Sequence, residues 1–98
     1  MAKSTVGVYS KVKQQVVSVG ATATKLPLTP LDNRRFIIVQ NLSTNPIYLG
    51  SSTVTTTGAT RGVVLANQYD SISVDITEGI DLYGIAGSAS DAAILELV

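Results

Sequence analysis

The strongest apolar pattern in the chain lies at residues 36–42, where β-branched and aromatic side chains follow one another almost without interruption. Both alternating faces of this segment are apolar, one carrying Phe36, Ile38 and Leu42 and the other Ile37 and Val39. This pattern is typical of a strand whose sheet is covered on both sides. The segment therefore predicts a central strand of a β domain.

A short polar turn follows this strand. Ser43 to Pro46 supply its chemistry, because Pro46 lacks a backbone donor and holds the residue before it in an extended conformation. Residues 47–50 then form a second apolar segment, Ile-Tyr-Leu-Gly. We predict that the two segments form a β-hairpin at the centre of the fold.

Shorter β segments recur through the rest of the chain. The alternation is clearest in residues 69–77, where Ile72, Val74 and Ile76 share one face and polar side chains share the other. Further strands are predicted at residues 14–20, 21–26, 62–66, 80–85 and 92–98. About eight short strands, spaced by roughly eight to twelve residues, predict a single all-β domain that is a sandwich or a barrel.

The first thirteen residues differ from the rest of the chain. They contain three lysines, no acidic residue, and scattered apolar side chains that fit neither a helix nor a strand. Two interpretations are open, a frayed terminus and an arm that becomes ordered on a neighbouring molecule. We predict a basic N-terminal arm over residues 1–13 and a β-sandwich domain over residues 14–98. The candidate interaction residues of the arm are Lys3, Tyr9, Lys11 and Lys13.

The formal net charge is zero, but the charges are unevenly distributed along the chain. Residues 1–61 hold all seven basic residues and one acid, Asp32, and therefore carry +6, whereas residues 62–98 hold the other six acids and carry −6. Two explanations are open. The two parts interleave within one fold, where neighbouring strands of opposite charge attract each other, or they match between copies.

Residues 51–60 include seven Ser or Thr residues among ten. This composition predicts either a surface loop or a hydroxyl-rich edge strand with a turn at Gly58. Loops at the ends of a rigid sandwich often carry binding functions, so we take Thr55, Thr56 and Thr57 as candidate interaction residues. Arg34 and Arg35 at the start of the central strand are further candidates, with a solubility role at the strand end as the alternative.

The sequence offers little catalytic chemistry. It contains no His and no Cys, which removes the commonest acid–base group at neutral pH and the thiolate ligands of zinc. Asp75, Glu78 and Asp81 are close in sequence, but their predicted positions on a wet face and in a turn favour a solvated rim over an acid–base pair or a Ca²⁺ site. We therefore predict that the protein is not an enzyme and uses no cofactor or metal.

Charge and hydropathy also bear on partners. Overall neutrality argues against nucleic-acid binding, because affinity for nucleic acid depends on neutralising phosphates. No apolar run approaches the length of a membrane span or of a signal peptide. We predict a protein that is made and stays soluble in the cytoplasm until it is assembled or released.

Residues 33–42, followed by residues 45–50 and Val54-Thr55, resemble a pattern found in small bacteriophage structural proteins. In that pattern an Arg precedes a strand that ends in Gln-Asn, a short turn follows, and the next strand reads Ile-Tyr-hydrophobic-Gly. Residues 79–86 and 94–96 are similar to the close of the pattern. The resemblance therefore covers the β domain from residue 33 onward and leaves the arm outside.

This resemblance implies a β-sandwich or jelly-roll module of the virion. Such a protein decorates or cements the capsid by binding the major capsid protein and sister copies, or belongs to a head or tail fibre, commonly as a homotrimer. The alternative is a receptor- or carbohydrate-binding module that uses the hydroxyl-rich loop together with exposed Tyr48, Tyr69 or Tyr83.

Overall fold

The computed structural model describes residues 10–77 and 79–98. These residues form eight β-strands and a 3₁₀ turn at Gly58–Thr60. The strands are β1 (Val12–Val19), β2 (Thr24–Leu26), β3 (Phe36–Asn41), β4 (Ile47–Gly50), β5 (Val63–Leu65), β6 (Ser71–Asp75), β7 (Leu82–Ala86) and β8 (Ser90–Leu97). In this part of the chain no helix has the length and apolar character needed to cross a membrane.

The strands form two four-stranded antiparallel sheets. The first sheet has the order β1-β8-β3-β6 and the second has the order β2-β7-β4-β5. The pairs are nested, because β1 pairs with β8, β2 with β7, β3 with β6, and β4 with β5. This nesting is the arrangement of a jelly roll. The prediction of an all-β sandwich with about eight short strands is confirmed.

The core between the two sheets is almost entirely aliphatic, as the scarcity of aromatic residues in the sequence requires. Its buried members are Val17, Val19, Ile37, Val39, Ala92 and Ile94 from the first sheet and Leu26, Ile47, Leu49, Leu65 and Ala86 from the second. Ile72, Val74 and Ile76 pack against this core from its margin. The alternating face predicted for residues 69–77 is therefore confirmed.

The predicted central hairpin is wrong. β3 lies in the first sheet and β4 in the second, so the turn between them carries the chain across the sandwich. Asn41 holds this crossing: its Nδ2 donates to the carbonyl oxygens of Asn45 (2.9 Å) and Leu65 (3.0 Å), and its Oδ1 accepts the N–H of Ser43 (2.8 Å). Because Leu65 belongs to β5, this buried amide links the first sheet to the second.

Only one face of β3 is covered by the described chain. Ile37 and Val39 are fully buried in the core, whereas Phe36 and Ile38 on the opposite face are partly exposed. The prediction that both faces of this strand are covered is therefore only partly met within the described residues.

The predicted boundary between arm and domain lies inside β1. Lys13 of β1 lies opposite Glu96 in the register with β8, and its Nζ donates to the carbonyl oxygen of Thr29 (3.0 Å). Lys11 is exposed, and its backbone exchanges hydrogen bonds with Val98. The sandwich thus begins earlier than residue 14, and two of the arm candidates, Lys3 and Tyr9, lie outside the described residues.

A buried ion pair closes one end of the sandwich. Arg34 Nη1 lies 2.9 Å from Glu96 Oε2, and the two side chains are 0% and 1% exposed. The same carboxylate oxygen accepts the N–H of Leu31 (3.0 Å), and Arg34 Nη2 donates to the carbonyl oxygen of Ile80 (2.7 Å). The pair therefore ties β8 to the β2–β3 and β6–β7 connections.

Among the described residues, two ion pairs join the basic first part of the chain to its acidic second part. One is the buried contact between Arg34 and Glu96, and the other is a half-exposed contact of 3.7 Å between Lys25 Nζ and Asp81 Oδ2. Both lie within a single copy of the chain. They favour the explanation that the two parts interleave within one fold.

Replacing Glu96 by Leu should lower the free energy of unfolding by about 3–5 kcal/mol, because Arg34 would remain charged and buried without its partner. The double variant Arg34→Met/Glu96→Leu removes both charges at similar volume and should recover most of the loss. Urea denaturation of the three proteins measures both effects. A single variant as stable as the natural chain would contradict the assigned role of the pair.

Candidate interaction surfaces

Both outer sheet faces carry apolar or aromatic side chains that are at least partly exposed. In the described residues no group of three or more His, Cys, Asp or Glu side chains is placed to hold a metal ion. Asp75 lies on an exposed face of β6, and Asp81 is paired with Lys25. Glu78, the third member of the predicted acidic rim, lies outside the described residues.

The outer face of the first sheet is rich in aliphatic side chains. We call it the outer apolar face, and its members are Val12, Val16, Phe36, Ile38, Ala93, Leu95 and Leu97. The register places Leu97 between Val12 and Phe36 on neighbouring strands, and Leu95 next to Ile38. Val12 and Val16 are 59% and 61% exposed. These apolar side chains therefore meet water on a surface where strands normally carry polar residues.

A shallow cavity of about 330 Å³ lies on the outer apolar face. Ile38, Ala93 and Leu95 contribute apolar lining, and Gln14, Gln40 and Ser71 contribute polar groups. The three strands that carry its apolar members, about 4.8 Å apart, and five residues at about 3.3 Å each give the face a projected area of roughly 240 Å². The largest apolar patch of a monomeric protein is of this order or somewhat larger, and such patches are often functional.

The outer face of the second sheet has a different character. Tyr48 of β4 lies opposite Ile85 of β7 and Val64 of β5, and Tyr83 lies opposite Gly50. We call this surface, formed by Tyr48, Val64, Tyr83 and Ile85, the tyrosine face. The guanidinium carbon of Arg61 lies 6.0 Å from the centroid of the Tyr48 ring. Aromatic rings and charged donors thus share one surface.

The hydroxyl-rich segment is a loop, which was one of the two predicted possibilities. It connects β4 to β5 and is closed by a bridge between Thr55 and Arg61. The Thr55 hydroxyl donates to the carbonyl oxygen of Thr57 and lies 2.8 Å from the Thr60 hydroxyl. Thr56 is partly exposed and Thr57 is exposed. Arg61, at the end of the loop, lies near the Tyr48 ring, so the loop borders the tyrosine face.

The structure separates the two predicted arginine candidates. Arg34 is buried in its ion pair with Glu96, so the prediction that it contacts a partner at the surface is wrong. Arg35 is exposed, and its backbone N–H donates to the carbonyl oxygen of Leu97 at 2.9 Å. Of these two residues, only Arg35 keeps its side chain on the surface.

The tyrosine candidates are also divided. Tyr48 and Tyr83 share the tyrosine face. Tyr69 is exposed in the connection between β5 and β6, where its backbone N–H donates to the carbonyl oxygen of Asn41. Asn41 belongs to the first sheet, so Tyr69 is not part of the surface formed by the other two.

Sequence reasoning missed the outer apolar face as a whole. Its members come from β1, β3 and β8, which are neighbours in space and far apart along the chain. The apolar outer positions of β3 were one available signal, since they were predicted to be covered. The order of the strands was needed to join them to Val16 and Leu95.

Comparison with protein-family models, curated proteins and solved structures gives no match to this chain. The interpretation of both surfaces therefore depends on their own geometry and on the resemblance in residues 33–98.

Replacing Gly62 by Ala should disturb the base of the hydroxyl-rich loop. A Cβ atom at this position would lie 2.8 Å from the backbone nitrogen of Leu49, so β4 and β5 would have to move apart. We expect a loss of about 1–3 kcal/mol in the free energy of unfolding, measured by thermal or urea denaturation. Gly20→Ala is the matched control, because nothing lies within 4 Å of its Cβ position. Equal effects of the two substitutions would contradict the close approach.

Proposed function

We propose that this protein is a virion structural protein that decorates or cements a bacteriophage capsid by binding coat subunits. The observation that carries the proposal is the outer apolar face, a partly exposed aliphatic surface on a rigid sheet. The resemblance of residues 33–98 to phage structural proteins supports the same role. The jelly-roll arrangement adds support by analogy, because viral capsid domains commonly use it.

The proposed action is mechanical. A copy that contacts two neighbouring coat subunits stabilises their association, because it binds the assembled shell and not the separated subunits. The major capsid protein is the partner, and the outer apolar face supplies the buried contact. Lys11 lies beside Val12 and Leu97 at the margin of this face, so the preceding arm starts where the coat contact would lie.

A second candidate function is receptor or carbohydrate binding, and the tyrosine face is the observation that favours it. Tyr48, Tyr83 and Arg61 lie next to a loop rich in hydroxyl groups. Aromatic rings and hydrogen-bond donors on one surface suit a sugar or a receptor side chain, and lectin domains also use the jelly roll.

The variant Leu95→Lys tests the first proposal. It places a charge in the middle of the outer apolar face, so binding to particles that lack the protein should weaken by about tenfold or more. Stability should change little, because Leu95 is already partly exposed. Co-sedimentation with particles measures the bound fraction.

Ile85→Lys is the matched control, because it makes the same kind of change at a partly exposed position on the tyrosine face. We expect it to bind particles as the natural chain does. Loss of binding in Ile85→Lys alone would contradict the decoration proposal and favour the receptor-binding candidate.

Deletion of residues 1–9 tests the contribution of the arm. The deletion should end there, because the backbones of Ser10 and Lys11 bond Val98 and β1 begins at Val12. We expect an unchanged circular dichroism spectrum and weaker binding to particles. Binding that is unaffected by the deletion would remove the arm from the proposed contact.

A further inference from the structure

β1 is the longest edge strand of the sandwich. It has eight residues, whereas β6 at the other edge of the first sheet has five, and β2 and β5 at the edges of the second sheet have three each. Within the described residues β1 pairs with β8 alone. A long open edge of this kind is a template for pairing with another strand, and natural sheets commonly keep their edges short to prevent it.

The backbone of β1 presents a regular set of groups to this open edge. Lys11 and Val98 exchange both backbone hydrogen bonds (2.9 and 3.0 Å) at the start of the ladder with β8. In an antiparallel ladder such pairs alternate with residues whose N–H and C=O groups point away from the partner strand. The residues of β1 that point to the open edge are therefore Val12, Gln14, Val16 and Ser18.

The side chains of β1 do not oppose pairing at this edge. Val12 and Val16 are the two most exposed members of the outer apolar face. The only charged side chain of β1, Lys13, donates to the carbonyl oxygen of Thr29. The open edge therefore carries exposed apolar side chains, and its one charged side chain is engaged within its own chain.

We propose that a second copy of this chain occupies the edge, with the two β1 strands antiparallel about a two-fold axis at Gln15. In this register all four outward residues are paired, Val12 with Ser18 and Gln14 with Val16 of the other copy. Moving the axis by one residue, to Gln14 or Val16, leaves one of the four unpaired. The register that satisfies the most backbone groups is therefore centred on Gln15.

The same register fixes the geometry at the axis. The two Gln15 residues face each other in a non-hydrogen-bonded pair, where the Cα atoms are about 4.5 Å apart and the side chains are close.

The pairing joins the two first sheets into one eight-stranded sheet. Both outer apolar faces then lie on the same side, so the joined surface has twice the area for contact with other proteins. An edge contact of seven residues, from Val12 to Ser18, is only about 23 Å long, which places it at the small end of specific interfaces. We therefore expect a dimer that dissociates on dilution. This inference does not depend on the proposed function.

Cysteine cross-linking tests the register in a chain that has no cysteine of its own. Gln15→Cys should form a covalent dimer under mild oxidation, because a Cα separation of about 4.5 Å lies within the range of disulfides. Lys13→Cys is the matched control on the same face of the same strand, and its symmetry mate would lie about 13 Å away. Non-reducing gels should show the dimer for Gln15→Cys only.

Either other outcome of this experiment would overturn the inference. Equal cross-linking of both variants would reject the axis at Gln15, and no cross-linking of Gln15→Cys would reject the pairing of the two strands.

Proline substitution tests the edge without using side-chain chemistry. Gln14→Pro removes an outward N–H and leaves the ladder with β8 intact, so sedimentation should show a monomer where the natural chain is a dimer. Ser73→Pro is the matched control on β6. The backbone hydrogen bonds from Asn41 to Asp70 and from Ile76 to Arg35 set the alternation along β6, so the N–H of Ser73 points away from β3 to the other open edge. The Ser73→Pro protein should therefore remain a dimer.

Circular dichroism of both proline variants confirms that the sandwich is retained. A natural chain that is monomeric at all concentrations, or a trimer that Gln14→Pro leaves unchanged, would refute the edge pairing. Such a result would not change the outcome of the particle-binding test with Leu95→Lys. The edge pairing and the decoration proposal can therefore be refuted independently of each other.

Discussion

The ion pair between Arg34 and Glu96 constrains the rest of the sandwich. Two charges in a dry interior cost desolvation energy, and only close geometry with further hydrogen bonds offsets that cost. Leu31 donates to the carboxylate and the guanidinium donates to Ile80, whereas Arg34 Nε is buried without a partner among the described residues. Because Phe36 opens β3 two residues after Arg34, the pair also lies where β3 meets β8. One contact thus holds the last strand to two connections at this end of the sandwich.

The first sheet is apolar on both sides, and the described residues bury one of them fully and leave the other partly exposed. Ile37 and Val39 meet the second sheet, while Phe36 and Ile38 face outward beside Leu95. The second sheet has short edge strands and an outer surface of tyrosines with charged neighbours. This difference in edge length and surface chemistry makes the first sheet the better candidate for protein contacts.

The candidate surfaces could be predicted from the sequence only in part. The hydroxyl-rich loop was one of two predicted possibilities, because Ser, Thr and Gly in a row favour turns over a packed strand. The surface role of Arg34 was wrong, because nothing near it in sequence signals a partner that is 62 residues away. An acidic residue at an inward position of the last strand was the available sign. The role of Glu96 as the partner of Arg34 becomes clear only when β8 is known to lie beside β3.

The pattern of residues is enough to show that the chain is all-β and where most strands lie, because side chains alternate between the two faces of a strand and this period is local. It also shows that the core is aliphatic, since the chain offers one Phe and no Trp. The pairing of strands in space was needed to show that β3 and β4 belong to different sheets, that Arg34 is buried, and that β1 is an open edge among the described residues. These features depend on which strands pair across long stretches of chain. Local alternation carries no information about that choice.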